Sequence, residues 1–306
     1  MSDTKRVIAL GFFDGVHRAH GALLTRVRQR AEELGAVPCA FTFDCSPTAR
    51  LTGRPVPLIN SLEDRQWLMR RYYGIREVLL GSFDQMVDMP WEDFITNYLI
   101  REQGAIHVVA GHDFRFGARG QGNPQRLREK CAQLGIGCDI ISEIDLEGIR
   151  ISSTHIRTLL ERGDMEEARA FLGHPHILSQ RVSPGKHLGH TLGFPTVNLQ
   201  FQPGVIVPAY GVYATSVSLE DGTQAMAVTN VGVRPTVETD GRANVEGYIL
   251  DYNGDLYGQT VRMAFYHRLR GERKFPSVEA LTEEVLRNAQ QTREYFAGHQ
   301  GIEPSL

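Results

Sequence analysis

The sequence predicts two soluble domains in series: an α/β domain on a parallel sheet over residues 1–175, then a small antiparallel β-barrel with a C-terminal helix over residues 176–306. Three observations predict this. Apolar β-rich runs alternate with amphipathic helical stripes as far as Leu172. Beyond Pro175, short β-rich runs alternate with Gly, Pro and Asp-Gly turns. Finally, Ser277 to Phe296 carries Leu281, Val285 and Ala289 on one stripe, which reads as a closing helix.

The elements of the first half follow in order. Arg6 to Leu10 reads as a strand, and Gly21 to Leu34 as a helix with Leu23, Leu24, Val27, Ala31 and Leu34 on one face, closed by Gly35. Val37 to Phe43 is an apolar strand. Ser61-Leu-Glu-Asp64 is a capping signature that opens a helix to about Tyr73. Strands are expected at Glu77 to Leu80, Ile106 to Ala110 and Gly137 to Ile141, and helices at Trp91 to Glu102, Asn123 to Leu134, Ser153 to Glu161 and Met165 to Leu172. Such alternation places functional loops at the carboxyl ends of the strands, after Leu10 and after Ala110. The domain boundary falls between Leu172 and Arg181. From Ile177 to His267 the runs are short and turn-bounded, with turns at Asp221-Gly222 and Asn253-Gly254.

Composition narrows the class. The 306 residues suffice for two cores, and 42% hydrophobic with 23% charged residues is a globular balance. A formal net charge of -3 supplies no global field for nucleic acid or an acidic membrane. Val7 to Leu10 is too short for a signal peptide, and no run is long enough to span a membrane. Cys39, Cys45, Cys131 and Cys138 show no metal-ligand spacing and read as free thiols of a reducing cytoplasm. His174 and His176, flanking Pro175 at the linker, read as solvated residues and not ligands.

Strand one runs into Gly11-Phe-Phe-Asp-Gly-Val-His-Arg-Ala-His20, and a helix follows at once. A strand-loop-helix junction offers phosphate backbone N–H groups and the positive end of a helix dipole. His17 and His20 can add hydrogen bonds from that junction. Gly111-His-Asp-Phe-Arg-Phe-Gly117 follows a second strand. Ile151-Ser-Ser-Thr-His-Ile-Arg157 opens a helix, where the hydroxyls serve either as N-caps or as phosphate ligands, and Arg157 lies one turn in.

These three segments, in this order, resemble the FMN adenylyltransferase module of bacterial bifunctional FAD synthetases, over roughly Arg6 to Leu172. That family is an α/β nucleotidyltransferase with an HxGH loop, a GxDFRFG segment and an SST-x-IR segment. The resemblance implies that His17 and His20 bind ATP phosphates, with Gly11, Phe13 and Asp14 in the same loop. It implies Asp113 and Phe114 near flavin or adenine, and Ser153, Thr154 and Arg157 at the triphosphate. There are departures: Phe12 replaces the family's Asn, Ala19 its glycine, and Phe43-Asp-Cys-Ser-Pro47 lacks its His-Pro. A glycine at 19 lets backbone approach the nucleotide, and alanine suits that position only at negative φ.

In the second half, Gly185, Gly189 and Gly193 recur every four residues in a stretch ending Gly-Phe-Pro-Thr-Val-Asn198, as suits a loop over a nucleotide. Thr196 and Asn198, two apart in extended chain, share a face and offer hard oxygens to a Mg2+ that bridges ATP phosphates. Phosphorylating an alcohol calls for an acceptor for its proton, and Glu246 is the best candidate; Asp251 and Asp255 read as turn acids. This half resembles bacterial riboflavin kinase from about Ile177 to Phe296, through Gly193 to Asn198, Tyr210 to Tyr213, Thr229 to Thr236, Glu246, Asp255 to Gly258 and Arg270 to Phe275. The resemblance implies a six-stranded antiparallel barrel with a long terminal helix. It assigns Thr196 and Asn198 to Mg2+ and ATP, Glu246 to catalytic base, and Gly185, Lys186, Gly193 and Pro195 to the nucleotide loop. It sets Asn230, Arg270 and Phe275 toward the flavin. His190 stands where the family has Arg, and Gly247 is unexpected in a strand.

The expected function is therefore conversion of riboflavin to FMN and of FMN to FAD, with ATP as co-substrate and Mg2+ in both steps. Two alternatives stand beside it: a kinase whose first domain is impaired by Phe12 and Ala19, and a flavin-binding regulator without turnover.

Overall fold

The computed structural model describes residues 4–182, 196–232, 243–252 and 254–299. The chain forms two compact units, Met1–Leu58 with Arg65–Ser153, and Ile59–Asp64 with Thr154–Leu306. No helix among the described residues is long and apolar enough to cross a membrane.

The first unit is built on five parallel strands in the order β3-β2-β1-β4-β5: β1 Arg6–Leu10, β2 Val37–Phe43, β3 Glu77–Gly81, β4 Ala105–Gly111 and β5 Gly137–Ile141. The central β1 is apolar from Val7 to Leu10 because both its faces are covered, and Val7, Ile8 and Ala9 are fully buried. Helix α1 (Arg18–Leu34) packs on β1, β2 and β4. It buries Leu23, Leu24, Val27 and Ala31 and ends at Gly35 with φ 59°. Leu34, expected on that face, is exposed, so the buried stripe stops one turn short of the cap. Short helices α2 (Pro47–Thr52), α4 (Phe83–Met86) and α5 (Trp91–Asp93) connect the strands, and α6 (Pro124–Gln133), capped by Asn123, packs on β5. Helix α3 (Leu62–Tyr73) starts where the Ser61 hydroxyl accepts the Asp64 N–H at 3.1 Å.

Two features depart from the simple alternation. The segment expected as one α-helix from Trp91 to Glu102 is a single α turn, followed by a π-helix over Phe94–Glu102. Gln103 N–H reaches the Tyr98 carbonyl, and the five-residue spacing aligns the buried Phe94 and Leu99 on one face. A small hairpin, β6 (Asp145–Leu146) and β7 (Ile149–Arg150), precedes the serine-rich segment. Its turn places Glu147 and Gly148 at φ 54° and 79°, with the Asp145 carboxylate accepting Gly148 N–H at 3.1 Å.

The second unit carries six antiparallel strands in the order β8-β13-β10-β11-β12-β9: β8 His176–Arg181, β9 Thr196–Gln200, β10 Gly211–Ser218, β11 Gln224–Gly232, β12 Asn244–Ile249 and β13 Thr260–Arg270. The sheet curls, and its edge strands are tied by the Gln180 side-chain oxygen accepting the Gln200 N–H. The Asp221-Gly222 turn joins β10 and β11 as expected, with Gly222 at φ 88°. One sheet face is an interior of Tyr213, Val231, Val245 and Phe265, all fully buried. Within it the Thr215 and Thr229 hydroxyls bond each other at 2.7 Å. The other face packs Val212, Val228 and Tyr248 against Ala289 of α9 (Val278–Gly298). Helices α7 (Ser153–Arg162) and α8 (Met165–Leu172) lead into this unit, and α8 lies on β8 and β13.

The linker histidines are not solvated. His174 and His176 are 2% and 1% exposed. The His176 ring stacks on Phe201 at 6.2 Å and lies 5.8 Å from Phe265, since β8 carries it into the barrel interior. Both of its ring nitrogens are buried without a hydrogen-bond partner among the described residues. Burial, and then the neighbouring His174, push its pKa down to about 3.

Candidate functional site

In the first unit, a cavity of about 740 Å³ opens at the carboxyl ends of β1 and β4, the place that parallel-sheet geometry prescribes. The loop after β1 lines it with Gly11, Phe12, His17, Ala19 and His20; the segment after β4 adds Gly111, Asp113 and Phe114. Ser152 and Ser153 complete the wall.

The first loop is held in a costly conformation. Phe13 and Val16 both have positive φ, 56° and 43°, and such angles on bulky or β-branched residues persist where surrounding packing imposes them. Phe13 and Val16 are fully buried, which supplies that packing. Phe13 and Asp14 therefore support the loop from below and are not among the residues lining the cavity. The Asp14 carbonyl accepts the Ser153 hydroxyl at 3.0 Å, joining the loop to the serine segment.

His17 caps α1 with its Nδ1, which accepts the His20 N–H at 3.3 Å. That bond makes His17 Nδ1 the acceptor, which in a neutral ring sets the proton on Nε2. The two imidazoles stack with centroids 3.6 Å apart and 11° between planes, and the Phe13 ring stands on edge to His20. Burial, then His17, then Arg65 hold His20 well below the ordinary histidine pKa. His20 is thus held neutral.

Ala19 is the second residue of α1 and does not share the positive φ of its loop. The condition for alanine at this position is met, and its methyl simply forms part of the cavity wall.

Several lining residues escaped the sequence reading. Arg150 on the unanticipated hairpin pairs with Asp113 at 2.8 Å and with Glu143 at 3.1 Å, and His112 approaches Glu143 at 3.4 Å. The Glu147-Gly148 turn was the signal that could have placed Arg150. These pairs are exposed and individually weak, so an incoming ligand can displace them. Gly117, closing the same segment, has φ 71°, and a Cβ there would lie 2.6 Å from the Trp91 Cα. Thr154 and Arg157 follow on α7, past the point where the chain enters the second unit, and are not among the lining residues.

In the second unit, the sheet register aligns the expected kinase groups. Glu246 lies opposite Asn198 on β9 and opposite Asn230 on β11. Directly opposed residues share a face, so the three side chains form one row. The row continues through Val212 on β10 to Arg270 on β13. Thr196 pairs with Tyr248 on the next row of the same face. Asn244, two residues before Glu246, donates from Nδ2 to Glu246 Oε1 at 2.9 Å. Arg270 is set by α9, through Glu284 at 3.1 Å and Asn288 at 3.2 Å, and its guanidinium lies 5.5 Å from the Phe275 ring centre. Asp255 accepts the Tyr257 N–H at 2.9 Å and Asp251 pairs with Arg293, as suits turn acids.

Gly247 also finds its reason. It faces the packed interior, where a Cβ would lie 2.6 Å from the Met263 methyl and 3.2 Å from Val197. Gly185, Lys186, His190, Gly193 and Pro195 lie outside the described residues.

Two family models match the chain: FAD synthetase over residues 1–155 and riboflavin kinase over residues 172–296. The chain is similar to the bifunctional riboflavin kinase/FMN adenylyltransferase of Pseudomonas fluorescens, at 37% identity over 90% of this chain and 88% of that protein. Proteins of the same name from Bacillus subtilis and Listeria monocytogenes are 33% and 32% identical over 96% and 97% of this chain, and 93% and 94% of theirs. Among solved structures, one titled macrolide-efflux protein from Streptococcus pneumoniae is 29% identical, with TM-score 0.81 over 96% of this chain and 95% of that one. What it shares with this chain is the fold along nearly the whole length.

Proposed function

The chain belongs to the family of bifunctional riboflavin kinase/FMN adenylyltransferases, and from that premise we propose which of its residues carry each reaction. It phosphorylates riboflavin to FMN and adenylylates FMN to FAD, using ATP in both steps. We set the functional division at 175/176, with adenylyl transfer before it and the kinase after it. Riboflavin, FMN, FAD and ATP are the ligands. The free thiols suit a reducing compartment, and we assign the protein to the cytoplasm.

In the kinase reaction, the terminal ribityl oxygen bonds to the γ-phosphorus of ATP, the bond to the β-γ bridging oxygen breaks, and ADP leaves. Glu246 accepts the hydroxyl proton as the new bond forms. Asn244 holds one carboxylate oxygen of that base, which orients it. Thr196 and Asn198 offer hydroxyl and amide oxygens on one face, with Asn198 opposite Glu246, a donor set that fits Mg2+. When bound there, the ion would offset the charge of the ATP phosphates. Asn230, Arg270 and Phe275 line the flavin side, and Gly185, Lys186, Gly193 and Pro195 belong to the nucleotide loop.

In adenylyl transfer, an FMN phosphate oxygen attacks the α-phosphorus of ATP and pyrophosphate departs with the bonding electrons. The nucleophile is already an anion, so alignment and charge stabilisation carry the rate. His17 and His20 donate to the phosphates. Gly11 lets the chain pass close to them, while Phe13 and Asp14 hold the loop. Asp113 and Phe114 take the flavin or adenine, and Ser153, Thr154 and Arg157 the triphosphate. Mg2+ accompanies ATP in this step as well.

The observation that carries this reading is that each unit gathers its own reactive groups: a histidine pair on a cavity in one, and Glu246 in register with Asn198 in the other. The test is incubation of the protein with riboflavin, ATP and Mg2+, followed by chromatography of the flavins, with a parallel incubation from FMN. FAD in both is expected. FMN accumulating without FAD would remove the adenylyl assignment, and absence of both products would remove the two together.

A further inference from the structure

We infer that Arg65 is a positioning residue for adenylyl transfer, which clamps the turn between β1 and the histidine pair and sets a fixed positive charge behind it. The inference rests on the adenylyl-transfer reading of the first-unit cavity.

Arg65 is 1% exposed, although it carries a charge that never leaves it. Taking such a group out of water costs several kcal/mol unless its surroundings compensate, so its place is informative. Its Nη1 donates to the Phe12 carbonyl at 2.7 Å and to the Thr42 hydroxyl at 3.3 Å. Thr42 in turn donates to the same carbonyl at 2.8 Å. The guanidinium lies over the Phe12 ring, 4.6 Å from its centre. Two donors and a stacked cation thus converge on the residue between Gly11, which lines the cavity, and Phe13, where the chain turns left-handed. The clamp fixes the peptide at the point where the loop reverses.

The second role is electrostatic. The stacked imidazoles cannot both be protonated at 3.6 Å, and His20 is held neutral. Neutral histidines donate hydrogen bonds but bring no net charge, while the reaction concentrates negative charge on the α-phosphate and on departing pyrophosphate. The groups acting on the His20 ring are His17 on its own loop and Arg65 on α3. Tyr73, also on α3, stands against Gly21 one residue on. Of these only Arg65 is a permanent cation. In a water-poor loop such a charge acts without reorganising. It serves two ends: keeping His20 an uncharged donor and adding positive potential beneath the phosphates.

The test uses the full chain, with Arg65→Met removing charge and donors and Arg65→Lys keeping charge without the planar fork. In Arg65→Met, adenylylation from FMN should fall about a hundredfold, while riboflavin phosphorylation by the same molecules stays within about twofold and reports their folding. Followed by proton NMR of the imidazoles, the His20 titration midpoint should rise, because a like charge has gone. In Arg65→Lys, the midpoint should stay near the wild-type value and part of the rate should return. An unmoved His20 midpoint in Arg65→Met, or both activities falling together, would overturn the inference. Wild-type protein that made no FAD would refute the cavity's assignment instead, and the NMR titration would still decide whether Arg65 acts on His20.

Discussion

Protonating a buried histidine is a stringent test of the barrel's interior. His176 titrates at about 3 when folded against 6.5 in an unfolded chain. Between those values the unfolded state binds the extra proton, so stability rises with pH across that window and is flat above it. At pH 5 an unfolded His176 is already charged by 1.5 pH units, worth about 2 kcal/mol at 1.36 kcal/mol per unit. The antiparallel sheet should therefore lose about 2 kcal/mol between pH 7 and pH 5 from this residue alone, about a thirtyfold rise in its opening equilibrium. In His176→Phe, a ring replaces a ring between Phe201 and Phe265, and two buried nitrogens without a partner among the described residues disappear. That variant should match or exceed wild-type stability at pH 7 and lack this share of the pH dependence. Hydrogen exchange of β8 and β13 amides, corrected for the intrinsic effect of pH on exchange, reads the opening locally. Equal pH dependence in the two proteins would refute the buried neutral state of His176.

Three further outcomes follow from the sheet geometry. Glu246→Gln should lower riboflavin phosphorylation by about 10²- to 10⁴-fold with FAD synthesis from FMN retained, as paired assays on one preparation would show. Asn244→Ala should reduce kcat for phosphorylation more than it raises KM, because it releases the orientation of the base and touches no substrate; a pure KM effect would contradict this. Gly247→Val should destabilise the second unit by about 1–3 kcal/mol, since the new side chain meets Met263 and Val197; unchanged thermal unfolding would show that the interior yields there.

Much of the fold is legible in the residues. β2 and β5 fall where apolar β-rich runs end in turns, and α8 where the apolar spacing is strong, because these signals depend on neighbours only a few positions away. The hairpin carrying Arg150 was not, since strands of two residues have no period to read. The π-helix was also hidden: Phe94 to Glu102 suits an α-helix locally, and burial of Phe94 with Leu99 selects the wider spacing.

The sequence by itself determined the two-part architecture, the order of the chemical groups and the family, because periodicity and motif spacing are properties of the chain read in one direction. Tertiary structure alone decided what those groups meet. Cross-strand register brought Asn198 and Asn230 to either side of Glu246 from 48 and 16 residues away in sequence. Packing against Met263 made a glycine necessary beside Glu246, and the barrel interior enclosed His176, which looked like part of a linker. The reason is physical: burial, charge proximity and cross-strand contact arise between residues distant in the chain, and no local pattern encodes which distant residue will arrive.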